Sequence, residues 1–318
     1  MTANVTSFRG KILVVRGGAI GDFILTLPAL AALRGQFPQS WLEVLGYPHI
    51  VPLAIEGGLV NAVRSIEARA LAGFFARHGE LDPDLIDYFS EFDLIVSYLY
   101  DPDEIFQENV AKCITGQFIA GPHRPDEDTG VHAAKVFLQP LERLAIFEAD
   151  PVPRLALAAP VRPSAQLALH PGSGSESKNW PEAKWHEFIG RLLEETPFSF
   201  LMVGGEAEGD RLQRLARELP GSRITLAQSL PLPELARRLE GCVAFVGHDS
   251  GISHLAAALG LPGVLLWGET AEEIWRPPSE KMLLIRGPTG LASLEVARVI
   301  EALQQVCAAA ASKPSKSV

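Results

Sequence analysis

The chain has 318 residues, enough for two domains of ordinary size. Its 47% hydrophobic and 21% charged residues are typical of a well-cored globular protein and exclude a disordered chain, while the net charge of −10 argues against nucleic acid as a partner. No apolar run reaches the roughly 18 residues of a membrane-spanning helix. A polar start and three widely separated cysteines, Cys113, Cys242 and Cys307, predict a cytoplasmic protein without a signal peptide or disulfide framework.

Strand and helix patterns alternate along the first half of the chain. The predicted strands are Lys11–Val15, Trp41–Gly46, Ala62–Ile66, Asp93–Tyr98 and Gln117–Gly121. Helical patterns lie between them, the clearest at Ile20–Gln36 and Thr129–Phe147. The stretch Asp150–Ser164 then carries four prolines, which is typical of a linker.

The second half repeats the alternation. Its predicted strands are Leu167–His170, Phe198–Val203, Ser222–Leu226, Ala244–Gly247, Gly263–Trp267 and Met282–Arg286. Its predicted helices are Pro181–Glu195, Glu206–Leu219, Leu232–Glu240, Gly251–Leu259 and Leu291–Ala309, the last a packing helix. The fold class is therefore α/β, with two Rossmann-like, doubly wound parallel-sheet domains facing a cleft. We place the domains at residues 1–160 and 161–311 and predict a disordered tail at residues 312–318.

A glycine-rich turn, "RGGAIGDFILTLPAL", directly follows the first predicted strand. Gly18 and Gly21 have the spacing of a dinucleotide fingerprint, but Arg16 stands where its first glycine belongs. Glu43, the candidate acidic partner, lies inside the next strand and not at its end, so the pattern argues against a nicotinamide or flavin cofactor. Asp22 would repel a phosphate at the start of the following helix. Either it only caps the helix, or the ligand beside it is not the phosphate.

Two stretches of the second half have the residue types of phosphate-binding loops. "LALHPGSGSESKNWP" follows a strand and offers glycine backbone, hydroxyl groups and a lysine: His170, Gly172, Ser173, Gly174 and Lys178. The alternative is a tight turn with a surface lysine. "FVGHDSGISHLAAALG" offers a capped helix start and a histidine one turn later: Asp249, Ser250, Gly251 and His254. His254 is either a packed core residue or a ligand.

Glu206 follows the strand that ends in "MVGG". Its carboxylate either accepts the hydroxyls of a ribose or stabilises the start of a helix. Together the two loops predict a nucleotide diphosphate bound to the second domain.

Three pieces of sequence, in the same order and at about the same spacing, resemble glycosyltransferase family 9, the bacterial heptosyltransferases of GT-B fold: "GAIGDFILTLPAL", "LHPGSGSESKNWP" and "HDSGISHLAAALG". The resemblance implies inverting, metal-independent transfer of a heptose or related sugar from an ADP-sugar to a glycan or glycolipid acceptor in lipopolysaccharide or cell-surface polysaccharide synthesis. It implies no cofactor, an acceptor-binding first domain and a nucleotide-sugar-binding second domain.

The resemblance also implies roles for individual residues. Asp22 corresponds to the catalytic carboxylate, Lys178 to the lysine near the diphosphate, and Asp249, Ser250, Gly251 and His254 to the donor-binding helix start. A glycolipid acceptor would add peripheral association with the cytoplasmic face of the inner membrane.

Some features leave alternatives open. "WGETAEEIW" lacks the Asp-Pro of the family's usual turn, and residues 60–150 hold 17 acidic residues against seven Lys and Arg, which favours a less anionic acceptor. Asp82–Asp84 and Asp101–Asp103 have the D-x-D form of metal-dependent transferases, but Asp-Pro is also a common helix start. Another GT-B enzyme such as an epimerase, and a non-catalytic nucleotide-sugar-binding protein, are the rival functions.

Overall fold

The computed structural model describes residues 9–158, 164–173, 178–205, 210–217 and 219–312. The chain divides into two compact units, Met1–Ala158 (unit 1) and Ala159–Val318 (unit 2), two residues from the boundary predicted at 160/161. Across the described ranges, no helix has the length and apolar character needed to cross a membrane.

Unit 1 contains a sheet of five strands: β1 (Lys11–Arg16), β2 (Trp41–Gly46), β3 (Ala62–Ser65), β4 (Leu94–Ser97) and β5 (Gln117–Ala120). Its α-helices are α1 (Ile20–Gln36), α2 (Pro52–Glu56), α3 (Pro83–Ser90), α4 (Ile105–Ala111) and α5 (Ala133–Leu138). Short 3₁₀ helices lie at Arg69–Phe75, Glu127–Thr129 and Gln139–Leu144.

The strands of unit 1 are all parallel, in the order β3-β2-β1-β4-β5. The central strand β1 is almost continuously apolar because both of its faces are covered, and Leu13, Val14 and Val15 are fully buried. The chain runs outward from β1 through β2 to β3 on one side, and from β4 to β5 on the other. The boundary between β1 and β4 is therefore a topological switch point, where parallel sheets form ligand crevices.

Unit 2 contains a sheet of six strands: β6 (Gln166–His170), β7 (Ser199–Gly204), β8 (Ile224–Gln228), β9 (Ala244–His248), β10 (Gly263–Leu266) and β11 (Met282–Ile285). Its α-helices are α6 (Glu182–Glu195), α7 (Arg211–Arg217), α8 (Leu232–Glu240), α9 (Gly251–Ala258), α10 (Glu272–Trp275) and α11 (Val296–Ser312). Short 3₁₀ helices lie at Gly221–Arg223 and Leu291–Ser293.

The second sheet is also fully parallel, in the order β11-β10-β9-β6-β7-β8. Its switch point lies between β6 and β9. The apolar stripe of α11 packs into the core beside Trp180, Trp185 and Phe188, so the prediction of a packing helix at the end of the chain is confirmed. The predicted fold class, two doubly wound α/β units, is confirmed as well.

The predicted long helix at Thr129–Phe147 is wrong. The chain forms α5 and then a 3₁₀ helix, because Pro140 has no backbone N–H to donate and cannot continue α5. Ala145, at φ 59°, then ends the 3₁₀ helix in the left-handed region.

Smaller boundaries also shift. β8 begins two residues later than predicted, because Gly221–Arg223 form a 3₁₀ turn. Ser312, assigned to the disordered tail, is the last residue of α11, where its Oγ donates to the carbonyl oxygen of Ala309 at 3.0 Å; the rest of the tail lies outside the described residues. The first part of the predicted linker packs on unit 1, since Leu155 is buried and lies against Gly57.

Candidate functional site

The candidate nucleotide site of unit 2 lies at the carboxyl ends of its two central strands. His170 ends β6 and His248 ends β9, and the strands are neighbours in register, with His170 opposite Gly247. The loops that follow the strands, predicted from sequence as separate phosphate cradles, therefore start at one switch point. This is the edge at which open parallel sheets bind nucleotides.

Ser250 caps α9 as predicted. Its Oγ accepts a hydrogen bond from the backbone N–H of Ser253 at 3.3 Å, and Gly251 is the first helical residue. The same Oγ lies 3.2 Å from Nδ1 of His170, which joins the cap of α9 to the end of β6. Complete burial lowers the pKa of His170 to about 4, so this ring is neutral at physiological pH and adds no charge to the site.

His248 holds the loop after β6 in place. Its Nε2 accepts a hydrogen bond from the backbone N–H of Trp180 at 2.8 Å, so the ring proton is on Nδ1, which donates to the carbonyl oxygen of Gly172 at 3.3 Å. Burial, with a smaller effect from the neighbouring His170, lowers the pKa of His248 to about 3. One neutral imidazole thus contacts both Gly172 and Trp180.

Lys178 and Asp249 form an ion pair across the two loops. The Nζ of Lys178 lies 2.7 Å from Oδ2 of Asp249, and the exposed fractions of the two side chains are 41% and 10%. Lys178 is therefore neither a detached surface lysine nor an uncompensated cation. The half-exposed ammonium lies next to the N-terminus of α9, whose N–H groups and dipole favour an anion.

The other predicted residues divide into two groups. Ser173 donates its hydroxyl to Oδ1 of Asn179 at 2.8 Å, which closes the loop internally, and His254 is buried within α9. Gly174 and Glu206 lie outside the described residues, so their predicted contacts stay predictions.

In unit 1, the glycine-rich turn joins β1 to α1. Gly18 has φ +95°, and a Cβ there would lie 2.9 Å from Oδ2 of Asp22, so the turn requires a residue without a side chain. Asp22 is the third residue of α1, and its Oδ2 accepts the backbone N–H of Ala19 at 2.9 Å. This is one half of a capping box; the other half is absent because the N-cap residue, Ala19, has no side-chain acceptor.

The capping bond leaves the other carboxylate oxygen of Asp22 next to a buried cation. The side chain is 25% exposed, and its Oδ1 lies 3.7 Å from Nη2 of the buried Arg16. The two interpretations of Asp22 are therefore compatible: one oxygen caps the helix, and the carboxylate stays accessible at the switch point of the first sheet.

The D-x-D pairs act at helix starts. Asp82 is the N-cap of α3 and accepts the N–H groups of Asp84 and Leu85 at 3.0 and 3.3 Å. Asp101 accepts the N–H groups of Phe106 and Gln107 at the start of α4. Within the ranges that the structure describes, no three His, Cys, Asp or Glu side chains are grouped as metal ligands would be.

Sequence reasoning missed the residues that hold the site together. Arg16 was noted only for replacing a glycine, and His248 and Asn179 were not identified at all. The one available signal was position, because a charged residue at the end of a buried central strand has to find polar partners on neighbouring loops.

Comparison with known proteins shows similarity to one family of enzymes. The model of glycosyltransferase family 9 (heptosyltransferase) matches residues 147–299. Lipopolysaccharide heptosyltransferase 1 of Pseudomonas aeruginosa is 28% identical over 285 residues, which cover 82% of this chain and 79% of that protein. Lipopolysaccharide heptosyltransferase 2 of Escherichia coli is 29% identical over 314 residues, which cover 88% of this chain and 89% of that protein.

Solved structures show the same fold. The E. coli ADP-heptose lipopolysaccharide heptosyltransferase II superposes with a TM-score of 0.76 at 18% identity, over 94% of this chain and 99% of that one. The E. coli heptosyltransferase WaaC with ADP superposes with a TM-score of 0.75 at 19% identity, over 93% of this chain and 99% of that one. The family match over residues 147–299 and the relatives aligned over most of both units show that the chain is a glycosyltransferase similar to those of glycosyltransferase family 9.

Proposed function

We propose that the protein transfers a heptose or a closely related sugar from an ADP-sugar to a saccharide acceptor in lipopolysaccharide synthesis, with inversion at the anomeric carbon and without a metal ion. The observation that carries this proposal is the cluster in unit 2, where Lys178 lies beside the N-terminus of α9 at the switch point between β6 and β9. The relatives named above are lipopolysaccharide heptosyltransferases, which supports the choice of sugar and acceptor.

The donor half of the reaction needs stabilisation of a leaving diphosphate. The N–H groups at the start of α9 and the ammonium of Lys178 supply positive charge without a cation from solution. Asp249 holds Lys178 at this position, and the neutral His170 and His248 fix the surrounding loops without adding charge that titrates near pH 7.

The acceptor half needs a base. In the proposed step the acceptor hydroxyl oxygen attacks the anomeric carbon, the bond from that carbon to the diphosphate oxygen breaks, and Asp22 takes the hydroxyl proton while ADP leaves. A carboxylate with one oxygen fixed by the N–H of Ala19 and a quarter of its surface exposed is suited to this task. Attack from the side opposite the diphosphate inverts the anomeric centre.

The acceptor side is proposed to be a saccharide that is less anionic than a phosphate-rich core, because residues 60–150 carry 17 acidic and seven basic residues. If the saccharide belongs to a glycolipid, the protein acts at a membrane surface, and association with liposomes that carry the acceptor tests this part separately.

Binding of ADP tests the donor site. We expect ADP to bind in EDTA, and Lys178→Ala to weaken it by about 10- to 100-fold, the loss of one charge-assisted contact. Lys281→Ala is the control, because Lys281 is another lysine of unit 2 whose ammonium donates a hydrogen bond, to the carbonyl oxygen of Gly260 at 2.8 Å, but it directly precedes β11 at the opposite end of the strands. Strict dependence of binding on Mg²⁺, or equal affinities of the two variants, would contradict the proposal.

Turnover with Asp22→Asn tests the base. The amide can still accept the N–H of Ala19, so we expect a melting temperature and an ADP-sugar affinity close to wild type, with turnover reduced about 10²- to 10⁴-fold. Wild-type turnover would make Asp22 a helix cap only. Sugar-nucleotide conversion without any acceptor would instead favour an epimerase.

A further inference from the structure

Arg16 is a buried cation at the end of β1. Its side chain is 1% exposed, and its guanidinium carbon lies 4.4 Å from the ring centre of Phe137 and 5.8 Å from that of Tyr98. Burying a charge among aromatic rings costs free energy unless polar partners surround it. Replacing a buried charge with an apolar residue of similar volume is often neutral or stabilising, so stability by itself does not require an arginine here.

The polar partners of Arg16 come from three separate segments. Nη1 donates to the carbonyl oxygens of Tyr98 at 3.3 Å and His123 at 2.9 Å, and Nη2 donates to the carbonyl oxygen of Asp22 at 3.3 Å. Nη2 also lies 3.7 Å from Oδ1 of Asp22. Nε–H, although buried, has no hydrogen-bond partner among the described residues. The guanidinium thus connects Asp22 to Tyr98 and His123 while one of its own N–H groups stays without a hydrogen bond among the described residues.

Asp22 is consequently held on both of its oxygens. The N–H of Ala19 fixes Oδ2, and Arg16 lies next to Oδ1 while also holding the main chain of the same residue. These contacts restrict the carboxylate, and 25% of the side chain stays exposed. A planar guanidinium does this better than an ammonium, because its donors have fixed directions.

We propose that Arg16 is a positioning residue: it orients the Asp22 carboxylate for proton transfer and ties it to the ends of β1 and β4 and to the loop after β5. This inference rests on the proposed role of Asp22 as the base. Arg16 itself contacts no substrate in this assignment, so its loss acts on turnover and not on donor binding.

The experiment compares Arg16→Met and Arg16→Lys with Arg34→Met. Arg34 is the control because it lies in α1, the helix that carries Asp22, and also holds loops by three bonds, to the carbonyl oxygens of Leu59 and Ser40 and to Oδ1 of Asn61. It is three turns away from Asp22. Each variant is assayed at the same number of degrees below its own melting temperature. If Arg16 has only a structural role, kcat should then change equally in Arg16→Met and Arg34→Met.

We expect kcat to fall by about 100-fold in Arg16→Met and by about 10-fold in Arg16→Lys, since a displacement of roughly 1 Å in a reacting group costs on the order of 10² in rate. The ADP-sugar dissociation constant should stay within threefold of wild type in both. Arg34→Met should keep kcat within threefold. Equal kcat values for the Arg16 and Arg34 variants, or a collapse of donor affinity in Arg16→Lys, would overturn the inference. Arg16→Lys keeps the test available if Arg16→Met does not fold.

A double-mutant cycle separates this inference from the proposed function. If Arg16 acts through Asp22, adding Arg16→Lys to Asp22→Asn should lower kcat by less than twofold further. If the fold-reductions in kcat of the two single variants multiply in the double variant, Arg16 acts elsewhere while Asp22 remains the base. Wild-type turnover in Asp22→Asn alone would instead show that the proposed base is wrong.

Discussion

The two histidines at the ends of β6 and β9 should make unit 2 sensitive to mild acid. Burial lowers the pKa of His170 to about 4 and that of His248 to about 3, against about 6.5 in an unfolded chain. The unfolded state therefore binds more protons below pH 6.5. Stability is complete above that pH and is lost as the pH falls toward the folded-state values.

The magnitude follows from these values. At pH 5, each histidine is almost fully protonated in the unfolded chain and mostly neutral in the fold, which removes about 2 kcal/mol per residue relative to pH 8. Together they remove about 4 kcal/mol, a large share of the 5–15 kcal/mol that stabilises a typical domain. Carboxylates titrate mainly below this window, so the histidines dominate it.

Urea unfolding at pH 8, 6.5 and 5 measures the effect. In a Trp41→Phe background the four remaining tryptophans, at positions 180, 185, 267 and 275, all belong to unit 2, so fluorescence reports that unit alone. His248→Gln should have a lower free energy of unfolding at pH 8, but should lose about 2 kcal/mol less than wild type between pH 8 and pH 5. An equal loss in wild type and His248→Gln would refute the reasoning.

Two further predictions concern unit 1. Gly18→Ala should lower the free energy of unfolding by about 1–2 kcal/mol, because φ is +95° and the new Cβ meets the Asp22 carboxylate. Gly35→Ala should raise the free energy of unfolding by up to ~1 kcal/mol, because nothing lies within 4 Å of the added Cβ in the last turn of α1. Urea titrations check both variants, and equal effects would show that the turn is not strained. Asp82→Ala should lower the free energy of unfolding by about 1 kcal/mol, because α3 loses its N-cap. The turnover of this variant in EDTA should match that of wild type. A loss of turnover that Mn²⁺ reverses would make Asp82 a metal ligand.

Local signals in the sequence determined most of the architecture. Apolar runs and helical periods located the strands of both sheets. Asp249 and Ser250 were identified as cap residues before α9, and Ser250 is the N-cap, because a cap needs only the residues next to it in the chain. Asp22 was placed correctly at a helix start for the same reason. The long helix predicted across Pro140 failed because its helical period was given more weight than the missing backbone donor.

The contacts that give the candidate sites their chemistry were decided only by tertiary structure. Lys178 pairs with Asp249 across 71 residues, and Arg16 reaches Tyr98 and His123 across 82 and 107 residues. Such pairs form because parallel strands bring distant loops to one edge of a sheet, and no pattern along the chain records which loops will meet there. The sequence determined that a carboxylate would stand at the start of α1; the fold of unit 1 decided that a buried guanidinium would hold it there.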